Sequence, residues 1–182
     1  MDLALSEHLK QPLEVIDITY SVQQTFLGNY FFGQTDILTF GGGYNAWGGL
    51  INPVGSGVDM FWNVYTISNF SSRPFTTEAW LNSTPPGKGI VSKNVAPANQ
   101  AIIPLPRPIV ELQYADCLLQ SPTDGIYSFL RRVEPNSTLT RHDFQGLIII
   151  PPGDSAILFL RSPDQETIRS RIPFGCWEEK RS

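Results

Sequence analysis

The glycine-rich stretch at residues 41–57, GGGYNAWGGLINPVGSG, holds the clearest chemical pattern in the sequence. Gly41, Gly43 and Ala46 match the dinucleotide-binding pattern GxGxxA, and Asp59 follows where a ribose-binding acid is usual. Pyrophosphate binding also requires a helix to begin at once, because its N-terminal N–H groups hold the phosphates. The letters WGG and NP follow instead, and they disfavour a helix. We therefore expect turns of a β structure here and no nucleotide site.

Paired acids are the second pattern that could do chemistry. Asp59 and Glu78 lie on what we predict to be adjacent strands of one hairpin, and two facing carboxylates can hydrolyse a glycosidic bond. His142 lies beside Asp143, but adjacent strand residues point to opposite faces, so they do not form a base with its orienting acid. No serine or cysteine lies in a GxSxG motif. We expect no enzyme; the enzymatic hypothesis ranks third and would use Asp59 and Glu78.

Metal ligands are few. Cys117, Cys176, His8 and His142 do not have the spacing of a zinc site, which takes about four nitrogen or sulfur ligands. No DxDxDG calcium pattern occurs. We expect no metal and no cofactor. The sequence leaves open whether the two cysteines form a disulfide, and two buried free thiols are the favoured state.

Large aromatic side chains are candidates for stacking on a ligand such as a sugar ring. The candidate residues are Tyr44, Trp47, Trp80 and Trp177. Tyr44 and Trp47 lie among glycines, where an aromatic ring often fills the space that the glycines leave. Packing within the domain is therefore favoured for these two, and ligand stacking is the alternative.

Charge and hydropathy exclude several classes of partner. The net charge is −4, and Lys and Arg never cluster beyond a pair, so we expect no nucleic-acid partner. No segment approaches the ~18 consecutive apolar residues of a membrane span. The first residues, MDLALSEHLKQP, lack the features of a secretory signal. We expect synthesis in the cytoplasm, followed by release through lysis if the protein works outside the cell.

Short alternating segments separated by turn residues recur along the chain. The strongest is 58–70, in which Trp62 and Tyr65 are assigned to opposite faces, and the continuation to residue 82 predicts a hairpin. Near the C-terminus, the alternation predicts that Ile168 and Ile172 point inward.

No long helix pattern interrupts these segments. About ten strands predict an all-β fold, an antiparallel β-sandwich that is jelly-roll-like. We assign residues 1–27 to an N-terminal arm or extra strand and residues 28–182 to the β-sandwich domain.

Five segments carry a family resemblance: YFFGQT, NAWGGLINPVGSGV, NVYTISNFSSRPFTTEAWLNSTPPGKG, PPGDSAILFLRSP and IPFGCWEE. Over roughly residues 28–179 they resemble small, functionally uncharacterised proteins of spore-forming bacteria. The PPGDSAILFL segment, a Pro-Gly turn that leads into a strand, is also similar to the jelly-roll subunits of endospore appendage fibres. The resemblance implies that such subunits join through cysteines in an N-terminal connector. Residues 1–27 here contain no cysteine, so that covalent link is not expected.

Together these features favour a structural protein of a spore or cell surface that self-assembles into a fibre or ring through β-strand contacts. The segment LEVIDITY, residues 13–20, could add a strand to the open sheet edge of a second copy. The expected contact residues are Leu13, Val15, Ile16, Ile18 and Tyr20. The alternative is a carbohydrate- or ligand-binding β-sandwich module whose partner is a surface glycan. The sequence leaves open the symmetry of the assembly.

Overall fold

Short strands joined by tight turns make up the described chain, residues 17–162 and 165–181 of a computed structural model. These ranges hold one helix and fourteen strands. The bounds are α1 Tyr20–Phe26, β1 Tyr30–Gln34, β2 Leu38–Phe40, β3 Asn45–Ile51, β4 Val58–Asn69, β5 Phe75–Leu81, β6 Ile90–Val91, β7 Val95–Pro97, β8 Glu111–Leu118, β9 Ile126–Val133, β10 Thr138–Arg141, β11 Ile148–Ile150, β12 Ser155–Arg161, β13 Ile168–Arg171 and β14 Pro173–Lys180.

The strands form two antiparallel sheets. The first has the order β2-β13-β4-β14-β1-β7, with β10 and β11 also paired to β4. The second has the order β6-β8-β3-β12-β5-β9. The sheets pack face to face, so the predicted all-β antiparallel sandwich is confirmed. There are more strands than the ten predicted, because several are only two to four residues long.

The core lies between the two sheets and is rich in large side chains. Its largest fully buried members include Trp62 and Tyr65 of β4, Phe75 of β5 and Leu158 of β12. A smaller cluster lies on the outer face of the second sheet, and it contains Trp47, Ala115, Ile157 and Phe159. Since full burial of one such side chain stabilises by about 1.5–3 kcal/mol, this packing is the main source of stability.

The inward direction of the last strands is as predicted. Ile168 and Ile172 are both fully buried in the core, while Arg169 between them is exposed. The two-residue period of a strand accounts for this arrangement.

A β-bulge in β4 corrects the predicted faces of that strand. Opposite β14, Val64 pairs with Gly175 and Trp62 pairs with Cys176, so Asn63 is an extra residue. The bulge restarts the alternation, and Tyr65 faces the core on the same side as Trp62. The prediction that Trp62 and Tyr65 lie on opposite faces is therefore wrong.

The segment 58–82 is a crossing between sheets, so the predicted hairpin is wrong. β4 belongs to the first sheet and β5 to the second. The buried Asn69 stabilises the crossing, because its Nδ2 donates to the carbonyls of Arg73 and Glu134 at 2.8 and 3.0 Å. Its Oδ1 accepts a hydrogen bond from the Ser71 N–H. One side chain thereby satisfies the main chain of two turns.

The glycine-rich stretch forms a turn and a strand, as its composition predicts. Gly41, Gly42 and Gly43 all have positive φ, which glycine adopts without steric cost. β3 follows directly, and Gly49 lies so close to β12 that a Cβ atom would be 2.7 Å from the Ala156 carbonyl oxygen. No helix begins here, so the phosphate-binding geometry of a dinucleotide site is absent from this stretch.

Glu178, in the acidic pair Glu178-Glu179 near the C-terminus, has a structural role that the sequence does not indicate. The pair resembles a charged tail in the sequence, yet Glu178 lies in β14 and is buried. Its carboxylate accepts hydrogen bonds from the N–H groups of Ile109 and Val110 at 2.8 to 3.1 Å. These bonds fix the end of the proline-rich segment 104–108 to the first sheet.

Glu178 predicts a specific pH dependence of stability. Burial raises the pKa of its carboxyl, although the Val110 and Ile109 N–H groups oppose that shift. The folded state then holds the proton more tightly than the unfolded state does. This residue's contribution to the free energy of unfolding therefore falls as pH rises above the ordinary value of 4.5.

Urea unfolding of wild type and Glu178→Gln from about pH 4 to about pH 7 checks this. The variant cannot titrate at this position, so the stability of wild type relative to the variant should decrease as pH rises. A relative stability that increases with pH contradicts the assignment.

Candidate functional site

Strand β9 forms an open edge of the second sheet. It pairs with β5 along one side, and no described strand pairs with the other side. Two of its carbonyls accept hydrogen bonds from β9's own side chains. The Ser128 hydroxyl donates to Ile126 O at 3.4 Å, and Arg131 Nη1 donates to Leu130 O at 2.9 Å. No ladder among the described strands uses the main-chain groups on the free side of β9.

Exposed apolar side chains line the β9 edge. Ile126, Tyr127 and Leu130 are 65%, 48% and 47% exposed. Long exposed edges of this kind are sites of strand addition. Two features restrict indiscriminate pairing: a bulge between Tyr127 and Phe129, and the charge of Arg131. The edge is therefore suited to a partner strand with a negative charge opposite Arg131.

The inner side of the edge is polar where the two sheets meet. Arg131 lies opposite the buried Thr77, and Arg141 of β10 lies opposite the buried Tyr65. The hydroxyls of Thr77 and Tyr65 have no hydrogen-bond partner within the described residues. Burial raises the pKa of Tyr65 to about 12, and the positive charges of Arg141 and Arg131 oppose this shift.

Arg131 differs from Arg132 and Arg141 in having no acidic partner among the described residues. Arg141 pairs with Asp143 at 2.6 Å, and Arg132 pairs with Glu134 at 2.7 Å. Within the parts of the chain that the structure describes, no carboxylate lies within 4.0 Å of Arg131. Its guanidinium instead lies over the Phe129 ring, 5.0 Å from the centroid.

The outer side of the same edge carries a pair of aromatic rings. Trp80 of β5 and Tyr127 of β9 lie side by side, with centroids 5.3 Å apart and planes inclined by 39°. The Trp80 Nε1–H donates to Glu78 Oε2 at 3.1 Å, and Glu78 Oε1 lies 3.3 Å from Arg161 Nε. This chain of contacts orients the half-buried Trp80 ring.

The four candidate stacking residues divide into two groups. Trp47 is fully buried, and its Nε1–H donates to the Pro86 carbonyl. Trp177 is also buried, and its ring stacks on Phe61 with centroids 5.2 Å apart. Tyr44 and Trp80 remain partly accessible, so only these two present a ring to a ligand.

The candidate contact residues belong to the N-terminal part of the sequence, residues 13–20. Leu13, Val15 and Ile16 fall outside the described residues. Ile18 and Tyr20 are about half exposed, and Tyr20 contacts Trp177 edge-on at the start of α1. This short helix within the predicted arm was not anticipated, because seven residues are too few for a clear period.

The acids proposed for enzymatic chemistry do not come together. Asp59 lies on the first sheet beside Arg181, whereas Glu78 lies on the second sheet beside Arg161. The expectation that they are neighbours on one hairpin is wrong, since the chain crosses between sheets after Asn69.

The other reactive groups are also dispersed. No three His, Cys, Asp or Glu side chains of the described ranges are grouped to hold a metal ion. Both cysteines are free, Cys117 exposed and Cys176 buried, so the expectation of two buried thiols holds only for Cys176. No helix in the described part of the chain is long and apolar enough to cross a membrane.

The sequence did not indicate β9 as a candidate site. Its letters, IYSFLRRV, indicate a strand, but they do not show that one side lacks a neighbour. The consecutive arginines were the available signal, because a charge on the inner face of a strand is typical of a sheet edge.

Comparison with known proteins gives one match. Neither the curated proteins nor the solved structures include one that matches this chain. A family model described as a family of unknown function, DUF6143, matches residues 2–182. The chain therefore belongs to the DUF6143 family.

Proposed function

We propose that this protein is a structural subunit that self-assembles into a fibre or ring by β-strand addition. The segment from Leu13 to Ile18 of one copy is the donor, and β9 of the next copy is the acceptor. The open β9 edge, with its exposed Ile126, Tyr127 and Leu130, is the observation that carries the proposal. The resemblance to proteins of spore-forming bacteria is the reason for proposing a spore or cell surface as its location.

Strand addition explains how such contacts become strong and directional. Each added residue pairs main-chain groups that the open edge leaves without a ladder. Donor and acceptor are different parts of the chain, so the contact is heterologous. A heterologous contact repeats from copy to copy until the rotation closes a ring or extends a fibre.

Helix α1 supports the proposal, because it buries a polar side chain and exposes apolar ones. Gln24 is its buried residue, whereas Phe26 and Val22 of the helix and the adjacent Leu27 are exposed. A helix on the surface of a monomeric domain normally buries its apolar face against that domain. Only Thr19 separates the donor segment from α1, so strand addition brings this apolar surface to the neighbouring copy.

Removal of the donor is the first test. Full-length protein should form fibres or rings in negative-stain electron microscopy, and protein lacking residues 1–16 should remain monomeric in analytical ultracentrifugation. Monodisperse monomers of the full-length protein at high concentration contradict the proposal.

A point change at the acceptor gives a matched pair. Leu130→Lys places a charge on the edge and should raise the concentration required for assembly at least about tenfold, which is about 1.4 kcal/mol per contact. Val54→Lys makes the same kind of change at a turn residue that is 89% exposed, and it should assemble as wild type does. Equal effects of the two variants would indicate general solubility rather than an edge contact.

The second candidate function is glycan binding at Trp80 and Tyr127. Two adjacent rings beside a carboxylate and a guanidinium combine apolar stacking with hydrogen-bonding groups. A sugar requires both kinds of contact.

Fluorescence separates this candidate from a purely structural role. Trp47, Trp62 and Trp177 are buried, so a bound glycan should change mainly the emission of Trp80. A saturable change that Trp80→Phe and Tyr127→Ala both abolish supports glycan binding. A glycan screen without a saturable response rejects it.

A further inference from the structure

We propose that the donor strand adds to β9 in one antiparallel register, in which Glu14 of one copy lies opposite Arg131 of the next. Leu13 then lies opposite Arg132, Val15 opposite Leu130 and Ile16 opposite Phe129. This inference rests on the proposed strand addition and specifies its partner surface residue by residue.

Charge selects the position of Glu14. On β9, Arg132 already pairs with Glu134 at 2.7 Å, whereas Arg131 pairs with no carboxylate of the described chain. An acid opposite Arg131 therefore supplies the missing counter-charge, next to the unpartnered hydroxyl of the buried Thr77. The donor segment has two acids, Glu14 and Asp17. Asp17 opposite Arg131 would place Thr19, the N-cap of α1, opposite Phe129, whereas Glu14 opposite Arg131 places the apolar Ile16 there.

The two faces of the edge select the same register. β9 residues 129, 131 and 133 face the gap between the sheets, because their partners Ala79, Thr77 and Phe75 are buried there. Opposite them, Glu14 and Ile16 share one face of the donor, and Val15 meets the exposed Leu130 on the outer face. A slip of one residue would place Asp17 against Phe129 and Val15 against Arg131, which leaves the cation uncompensated.

The antiparallel direction follows from the length of the edge. An antiparallel strand that starts at the Arg131 pair runs back along β9 toward Leu130 and Phe129. A parallel strand would reach Val133, the last residue of β9, at Ile16, and Asp17 and Ile18 would lie beyond the strand. Every strand pairing described in the protein is antiparallel.

Disulfide trapping tests the register in the full-length chain. In a Cys117→Ser background, which removes the exposed thiol, Val15→Cys is combined with Leu130→Cys, Ser128→Cys or Arg132→Cys. Mild oxidation joins facing cysteines whose Cα atoms lie about 4.4–6.8 Å apart. We expect a covalent ladder on a non-reducing gel about tenfold faster with Leu130→Cys than with the other two.

Each outcome has a defined meaning. A ladder that forms fastest with Ser128→Cys or Arg132→Cys overturns the register. Assembly without a covalent ladder overturns it as well. In both cases the proposal of strand addition itself survives. A disulfide within a single monomer overturns the intermolecular contact. If neither the variants nor the wild-type protein assembles, both the register and the proposed function fail.

Exchange of the two charges tests the Glu14–Arg131 pairing independently. Glu14→Arg should weaken assembly about tenfold, and the added change Arg131→Glu should restore most of it, because the pair is re-formed with reversed signs. Asp17→Arg makes the same charge change in the same segment and should have a smaller effect. An Asp17→Arg effect equal to that of Glu14→Arg, or no restoration in the double variant, contradicts the pairing.

Discussion

An antiparallel sheet that does not close leaves a row of main-chain donors and acceptors at each edge, and this constraint organises the molecule. The second sheet ends at β6 on one side and β9 on the other. β6 has only two residues, so it offers little to a partner. β9 has eight residues and pairs on one side only among the described strands. Of the two described edges of this sheet, β9 is therefore the one long enough to pair with a further strand.

The features around β9 have a common physical explanation. Apolar residues on its outer side favour association, while the bulge and the inward Arg131 oppose pairing with an arbitrary strand. An edge with both properties binds a partner that is matched in charge and in apolar pattern. The donor segment LEVIDI has such a pattern, with two acids among four aliphatic residues. The proposed strand addition rests on this complementarity between two parts of one chain.

The fold class was predictable from the sequence because strand alternation and turn residues are local signals. Ile168 and Ile172 show how far the alternation can be followed. The bulge at Asn63 was not predictable, because one extra residue leaves no mark in the letters but reverses every later face. The same holds for Asn69, whose hydrogen bonds to Arg73 and Glu134 turn an apparent hairpin into a crossing between sheets.

The site was less predictable than the fold, because exposure depends on what packs against each residue. Trp47 and Trp177 resemble Trp80 in the sequence, but Pro86 and Phe61 cover them and leave Trp80 at the margin. Likewise, Arg131 and Arg132 are neighbours with the same charge. Only the pairing of β9 with β5 shows that Arg131 faces the gap between the sheets, where no carboxylate of the described residues pairs with it.

Amide hydrogen exchange of residues 126–133 tests the central claim most directly. Below the assembly concentration, the edge amides of β9 should exchange rapidly, since no described strand pairs with them. In the assembled protein, these amides should become protected, whereas those of the short opposite edge, Ile90 and Val91, should not change. Equal exchange of β9 in monomer and assembly would contradict strand addition at this edge.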